Sequence, residues 1–204
     1  MRKFIIIISV LALISNSFAQ KLYVWCPAEQ LASPRRGLLQ NDTIDLVLFD
    51  GRILTDKSKV ECTAENTIVE LQKILKQNYP SALFNMLSTS DYYKDPNPKR
   101  ITFKIGILAY HAAFGSDVKI GIGSMGGNFS YGAFPEGKWN GITAYSVKIY
   151  DYRNNLEIKK IKDISKIASK PNMWGYKSAK DCLNTSYMEA NQELLFFIDD
   201  TFMK

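Results

Sequence analysis

The chain has 204 residues, 46% of them hydrophobic and 23% charged, and 26 Lys and Arg outweigh 20 Asp and Glu for a net charge of +6. That length carries one domain with a real core, so neither disulfides nor metal are obligatory for folding, and the apolar share excludes global disorder. One histidine, His111, and three cysteines without a CxxC pair exclude zinc-site spacing.

Residues 1–19 read as a secretory signal peptide. Arg2 and Lys3 form a positive start, Phe4 to Ile14 an apolar run, and Ser17 and Ala19 place small residues at the −3 and −1 positions of a cleavage site. The run is shorter than the ~20 apolar residues of a spanning helix. A mature chain starting at Gln20, in the periplasm or outside the cell, is therefore expected. Cys26 follows the bulky Tyr23, Val24 and Trp25, which do not fit a lipid-attachment motif.

Residues 20–43 hold Pro27, Pro34 and the Arg35-Arg36-Gly37 run and read as an irregular lead-in; residues 44–204 read as a single domain. Ile44 to Leu54 reads as a β run broken at Asp50-Gly51, where a bulge or turn is expected. Thr63 is the expected N-cap of a helix carrying Ile68, Leu71, Ile74 and Leu75 at helical spacing, and that helix ends before Pro80. Ala82 to Leu87 reads as a strand and Tyr92 to Arg100, with Pro96 and Pro98, as a loop.

Ile101, Phe103, Ile105, Ile107 and Ala109 recur with a period of two, a long strand ending at His111. A glycine-rich stretch follows over residues 121–141. Thr143 to Asp151 alternates again, and Arg153-Asn154-Asn155 turns it into Leu156 to Ile164 as a hairpin. After a loop with Pro171 and Trp174, a helical stripe runs through Ala179, Cys182, Leu183, Ser186, Ala190, Leu194, Phe197 and Ile198, with Ser178 as the expected N-cap. This order predicts an α+β fold: an antiparallel sheet of about five strands with two helices packed on one face.

No residue cluster names a reaction. Gly121-Ile-Gly123-Ser-Met-Gly126 spells GxGxxG, but Gly127, Gly132, Pro135 and Gly137 forbid the helix a dinucleotide site needs. His111 has no nucleophile motif beside it. Asp50 and Asp151 end two strands, where carboxylates usually make turn bonds or local ion pairs. No catalytic residue, cofactor or metal is implied. Cys26 and Cys62 are the expected disulfide of an oxidising compartment, with Cys182 a buried free thiol.

Two binding surfaces are candidates. The glycine-rich stretch carries Phe129, Tyr131, Phe134 and Trp139, which either present a partner-binding tip or fold back on the core. Residues 148–180 carry nine basic and three acidic residues, among them Lys159, Lys160 and Lys162. Such a run meets an anionic envelope component or is a solvated strand that blunts a sheet edge. No aromatics interleave with Lys159 to Lys170, so a nucleic-acid partner is not expected.

The segments IDLVLFDGRIL, TIVELQKILKQ, ITFKIGILAY, ITAYSVKIYDYRNN and SAKDCLNTSYMEANQELLFFI together resemble small bacterial envelope accessory proteins. These are the auxiliary lipoproteins of ABC-type transport systems and the lipopolysaccharide-assembly lipoproteins. The resemblance covers residues 44–200 and departs from the pattern in lacking the lipobox cysteine. It implies a compact α+β domain acting as a non-enzymatic binding or assembly factor of the cell envelope, with an envelope protein or anionic component as partner. The alternative is a secreted hydrolase of a glycan or another envelope polymer.

Overall fold

The structure, a computed structural model, describes residues 21–54, 56–115, 137–153 and 157–203. The signal segment, the GxGxxG run, Phe129, Tyr131, Phe134 and the Asn154-Asn155 turn lie outside the described residues. No described helix is long and apolar enough to cross a membrane.

The fold is α+β, and the sheet corrects the expectation of an antiparallel sheet of about five strands: among the described residues it has seven strands and is mixed. The strands are β1 (Tyr23–Val24), β2 (Thr43–Asp50), β3 (Lys59–Val60), β4 (Leu83–Met86), β5 (Ile101–Phe114), β6 (Lys138–Asp151) and β7 (Ile158–Pro171). Helix α1 (Ala64–Asn78) lies between β3 and β4, and α2 (Tyr176–Phe202) closes the chain. β2 pairs parallel with both β4 and β5, because a helix between two strands carries the chain back to start the second strand in the same direction. β5, β6 and β7 form the antiparallel part.

α1 forms where its sequence predicts. The Thr63 side chain accepts from the Asn66 N–H at 3.2 Å, which satisfies one of the free donors of the first turn. Leu71, Ile74 and Leu75 are its buried stripe. α2 starts two residues before the expected Ser178 cap. Gly175 is the N-cap, with φ of +54°, and the buried Ser178 hydroxyl instead accepts from the Trp174 N–H at 3.3 Å. Residues 20–43, read above as irregular, contain β1, and Tyr23 pairs with Ala112 of β5.

The strict period of two in β5 ends at a bulge between Ile107 and Ala109. Ile101, Phe103, Ile105 and Ile107 share the helix-side core with Tyr110 and Ala112, whereas Leu108, Ala109 and Ala113 fill a smaller cluster with Val47 and Ile142. One extra residue reverses the facing of everything after it. Near this bulge β5 changes neighbours: the Gly51 N–H donates to the Ile107 carbonyl at 2.9 Å, and beyond it β1 takes the place of β2.

α2 lies along the face of β6. A Cβ added to Gly141 would stand 2.3 Å from the Cys182 carbonyl carbon and the Leu183 nitrogen. Thr143 and Ser186 hydroxyls share a 3.0 Å hydrogen bond, and the Tyr145 hydroxyl donates to Asn191 Oδ1 at 2.9 Å. Burying a polar group costs free energy unless it is hydrogen-bonded, and these two pairs meet that need across the seam. Both helices pack into one hydrophobic cluster with the same sheet face, as the sequence pattern predicts.

Candidate functional site

Five aromatic rings from separate parts of the chain meet at one end of the sheet. Tyr23 of β1 stacks on Trp25 at 5.6 Å and meets the edge of Trp139 at 5.5 Å. Tyr176, the first residue of α2, lies 5.2 Å from Tyr23 and 5.9 Å from Trp139. Phe114, the last residue of β5, lies 5.2 Å from Trp139, its register partner. Offset and edge-on contacts at these separations are the favoured geometries of aromatic pairs.

Polar atoms hold the cluster in place. Trp139 Nε1 donates to Asn172 Oδ1 at 2.9 Å, and the Tyr23 and Tyr176 hydroxyls are 3.3 Å apart. That hydrogen bond, helped by burial, pushes the Tyr23 hydroxyl up to about 12, so it stays neutral at physiological pH. Lys21 Nζ stands 5.4 Å over Tyr23 and Lys180 Nζ 5.3 Å over Trp25, giving the end a cationic rim. The rings Tyr23, Phe114, Trp139 and Tyr176 line a cavity of about 320 Å³.

The turn after β7 presents the open part of this surface. Pro171 ends β7 and its carbonyl accepts from the Met173 N–H at 2.8 Å. Gly175, in the left-handed region, then reverses the chain into α2. Between them Met173 and Trp174 stand 74% and 72% exposed, beside Tyr176 at 52% and Phe114 at 42%. Large exposed apolar side chains gathered at one end of a sheet make this a candidate binding surface. They can stack on a planar or apolar group and offer hydroxyl and amide hydrogen bonds at the rim.

Trp139 thus lies in the aromatic end, but as a buried wall, 6% exposed, not as a protruding tip. The lysines sit elsewhere, along the edge strand β7, and alternate between its faces. Lys162 and Lys166 reach Glu193 of α2 at 2.9 and 2.6 Å, and Lys159 lies on the other face by the period of two. The basic run is therefore partly neutralised and is not one patch. Tyr23, Phe114, Trp174 and Tyr176 are site residues that the sequence reading missed. The signal available was the placement of Trp174 between Pro171 and Gly175, in a connecting turn of the kind that runs over the surface.

The other candidates are engaged in structure. Arg52 clasps Asp50 through Nε and Nη2 at 2.9 and 2.6 Å, and Arg153 clasps Asp151 through Nε and Nη2, each at 2.9 Å. Each pair also bonds the arginine N–H to the aspartate, at 3.0 and 3.1 Å, so the two Asp-x-Arg sequences form the same closed turn. A larger cavity, about 490 Å³, lies between residues 28–35 and the two helices. Its amides already bind the chain: Asn78 Oδ1 accepts from Ser33 and Arg35, and Asn184 Oδ1 from Ala28. Among the described residues no group of His, Cys, Asp and Glu is placed to hold a metal.

His111 is buried, and neither its Nε2 nor Nη1 of the neighbouring Arg52 has a hydrogen-bond partner among the described residues. Burial, with the Arg52 charge second, lowers its pKa from 6.5 to about 4. The unfolded chain therefore takes up a proton that the folded chain refuses. Stability is full above pH 6.5 and falls as pH drops from 6.5 toward 4, by about 3 kcal/mol at the end of that window. Urea denaturation of wild type and His111→Gln at pH 7.5 and pH 4.5 checks this. The wild type should lose more than the variant, and equal losses would contradict the assignment.

In sequence the chain matches no family model and no curated relative. In fold it is similar to protein XCC0632 of Xanthomonas campestris, assigned to the family DUF330, at 7% identity and a TM-score of 0.46 over 88% of this chain and 94% of that one. It is also similar to the hypothetical protein CT253 of Chlamydia trachomatis, at 13% identity and a TM-score of 0.42 over 80% and 99%. The lipoprotein GNA1162 of Neisseria meningitidis is 9% identical, with a TM-score of 0.37 over 76% and 98%.

Proposed function

We propose that this chain is an exported, non-enzymatic binding or assembly factor of the bacterial cell envelope, and that it engages a partner protein through the aromatic end. One observation carries the reading. Rings from β1, β5, β6 and α2 form a rigid base on which Trp174, Tyr176 and Phe114 remain open, and aromatic anchors of this kind dominate binding energy at protein interfaces. The signal-like first nineteen residues and the bond between Cys26 and Cys62 support an oxidising compartment outside the cytoplasm.

Capture from a detergent-solubilised envelope fraction tests the surface. Trp174→Ala with Tyr176→Ala should abolish capture, since removing two such anchors weakens binding by about 4 kcal/mol or more. Replacing Lys159, Lys160 and Lys162 together with Gln should leave it intact, because exposed charges contribute little and are screened at physiological salt. The opposite pattern, with the lysines required and the aromatics dispensable, would move the site to β7 and overturn the reading.

A further inference from the structure

The aromatic end also gathers positive charge without carboxylate partners. It is built from residues 21–25, 114–115, 137–140 and 170–181, and the charged residues in those segments are Lys21, Lys138, Lys170, Lys177, Lys180 and Asp181. All five lysines are exposed. Lys170 Nζ stands 3.4 Å from Asp181 Oδ2, and among the described residues the other four lysines meet no carboxylate within ion-pair distance. The basic edge strand differs, because its Lys162 and Lys166 are drawn onto Glu193.

Two of the four are fixed over the rings themselves. Lys21 Nζ stands 5.4 Å from the Tyr23 centroid and Lys180 Nζ 5.3 Å from that of Trp25, and Lys21 also lines the cavity of about 320 Å³ with Phe114, Trp139 and Tyr176. Lys177 stands in the first turn of α2, which holds no acidic residue and has no side-chain cap, although a helix start favours negative charge. This end of the molecule thus combines an apolar concavity with a positive potential that its described residues leave uncompensated.

That combination selects what docks. A basic segment would bring like charge against the lysines, which disfavours it strongly, and a neutral one would leave them unanswered. We infer that the partner docks here through an acidic segment that places one large apolar side chain in the cavity and carboxylates against Lys21, Lys177 and Lys180. The inference rests on the aromatic end being the docking face and adds the chemistry of what docks. An anionic bilayer also matches lysines beside exposed rings. A lipid surface takes up protruding side chains and leaves a concavity empty, however, whereas an anchoring side chain of a partner protein fills it. The lysines act on encounter and choice, since complementary charge raises the association rate and rejects basic competitors, and the anchor sets the residence time.

The test is selection of random short peptides displayed on phage against the purified protein, with phosphatidylglycerol vesicles as a separate arm. Enriched peptides should carry Asp or Glu on either side of a Trp, Phe or Leu. A synthetic peptide of the commonest selected sequence should bind wild type with an association rate that falls steeply with salt. Lys21→Gln, Lys177→Gln and Lys180→Gln together should cut that rate about tenfold and change dissociation little, with the unfolding midpoint at its wild-type value. Trp174→Ala with Tyr176→Ala should remove binding. Selected peptides that lack acidic residues yet need Trp174 and Tyr176, or an association rate that the three lysine substitutions leave unchanged, would overturn the acidic segment and leave the docking face standing. Failure to enrich any peptide, peptides indifferent to the loss of Trp174 and Tyr176, or vesicle binding through Trp174 in place of peptide binding would overturn both.

Discussion

Gly141→Ala should destabilise the protein by about 3 kcal/mol or more. A Cβ at this position meets backbone atoms of α2, Cys182 C and Leu183 N, at 2.3 Å and Cys182 O at 2.5 Å, so no side-chain rotation relieves it. The helix must lift off β6, and overpacking of a filled core typically costs about 1–3 kcal/mol, more when backbone is displaced. Lifting also strains the Thr143–Ser186 and Tyr145–Asn191 bonds further along the seam, and breaking either leaves a buried polar atom unpaired. Chemical denaturation measures the loss. A change within about 0.5 kcal/mol, the size of a neutral surface substitution, would show that α2 does not approach β6 this closely.

Replacing Cys26 and Cys62 with Ser should lower stability by about 3–4 kcal/mol, the chain-entropy value for a loop of this length. The two are bonded with Cα atoms 4.7 Å apart across 36 positions of sequence, and Cys182 is free and buried. The bond ties residues 21–36 to the segment just before α1. Beyond β1 that stretch has no ladder and is held by side-chain bonds: the Tyr110 hydroxyl to the Trp25 carbonyl at 2.8 Å, Lys73 to Glu29 at 2.9 Å, Asn191 Nδ2 to Gln30 Oε1 at 3.2 Å, Arg35 Nε to Asp199 Oδ2 at 2.6 Å, and the bonds to Asn78 and Asn184. Hydrogen exchange on the reduced protein should therefore rise first in residues 21–36. Identical urea midpoints for oxidised and reduced protein would contradict this.

The local elements were legible because their causes are local. Thr63 before the Ile68, Leu71, Ile74 and Leu75 stripe gives α1, and the period of two gives β5 and β6. The parallel pairing of β2 with β4 was also within reach, since a strand, a 15-residue helix and a strand in succession make a crossover unit. The adjacent long strands outweighed it in the reading. The bulge after Ile107 left no mark, because Leu108 and Ala109 are both apolar and fit either face. The true cap of α2 was hidden by Ser178, a good capping residue one turn too late. The aromatic end was out of reach for a different reason: Tyr23, Phe114, Trp139 and Tyr176 come together only through β1–β5 and β5–β6 pairing, so the Tyr23–Tyr176 contact spans 153 positions.

The central claim, an exported binding factor with its docking face at the aromatic end, is tested most directly inside living cells. A photo-crosslinking phenylalanine analogue placed at Trp174, 72% exposed beside the cluster, should yield a discrete protein adduct in the envelope fraction, carried by a form that starts at Gln20. The same analogue at Lys159, on the exposed edge strand β7, should yield none. An adduct at Lys159 without one at Trp174, or a full-length chain starting at Met1 in the cytoplasm, would contradict the account.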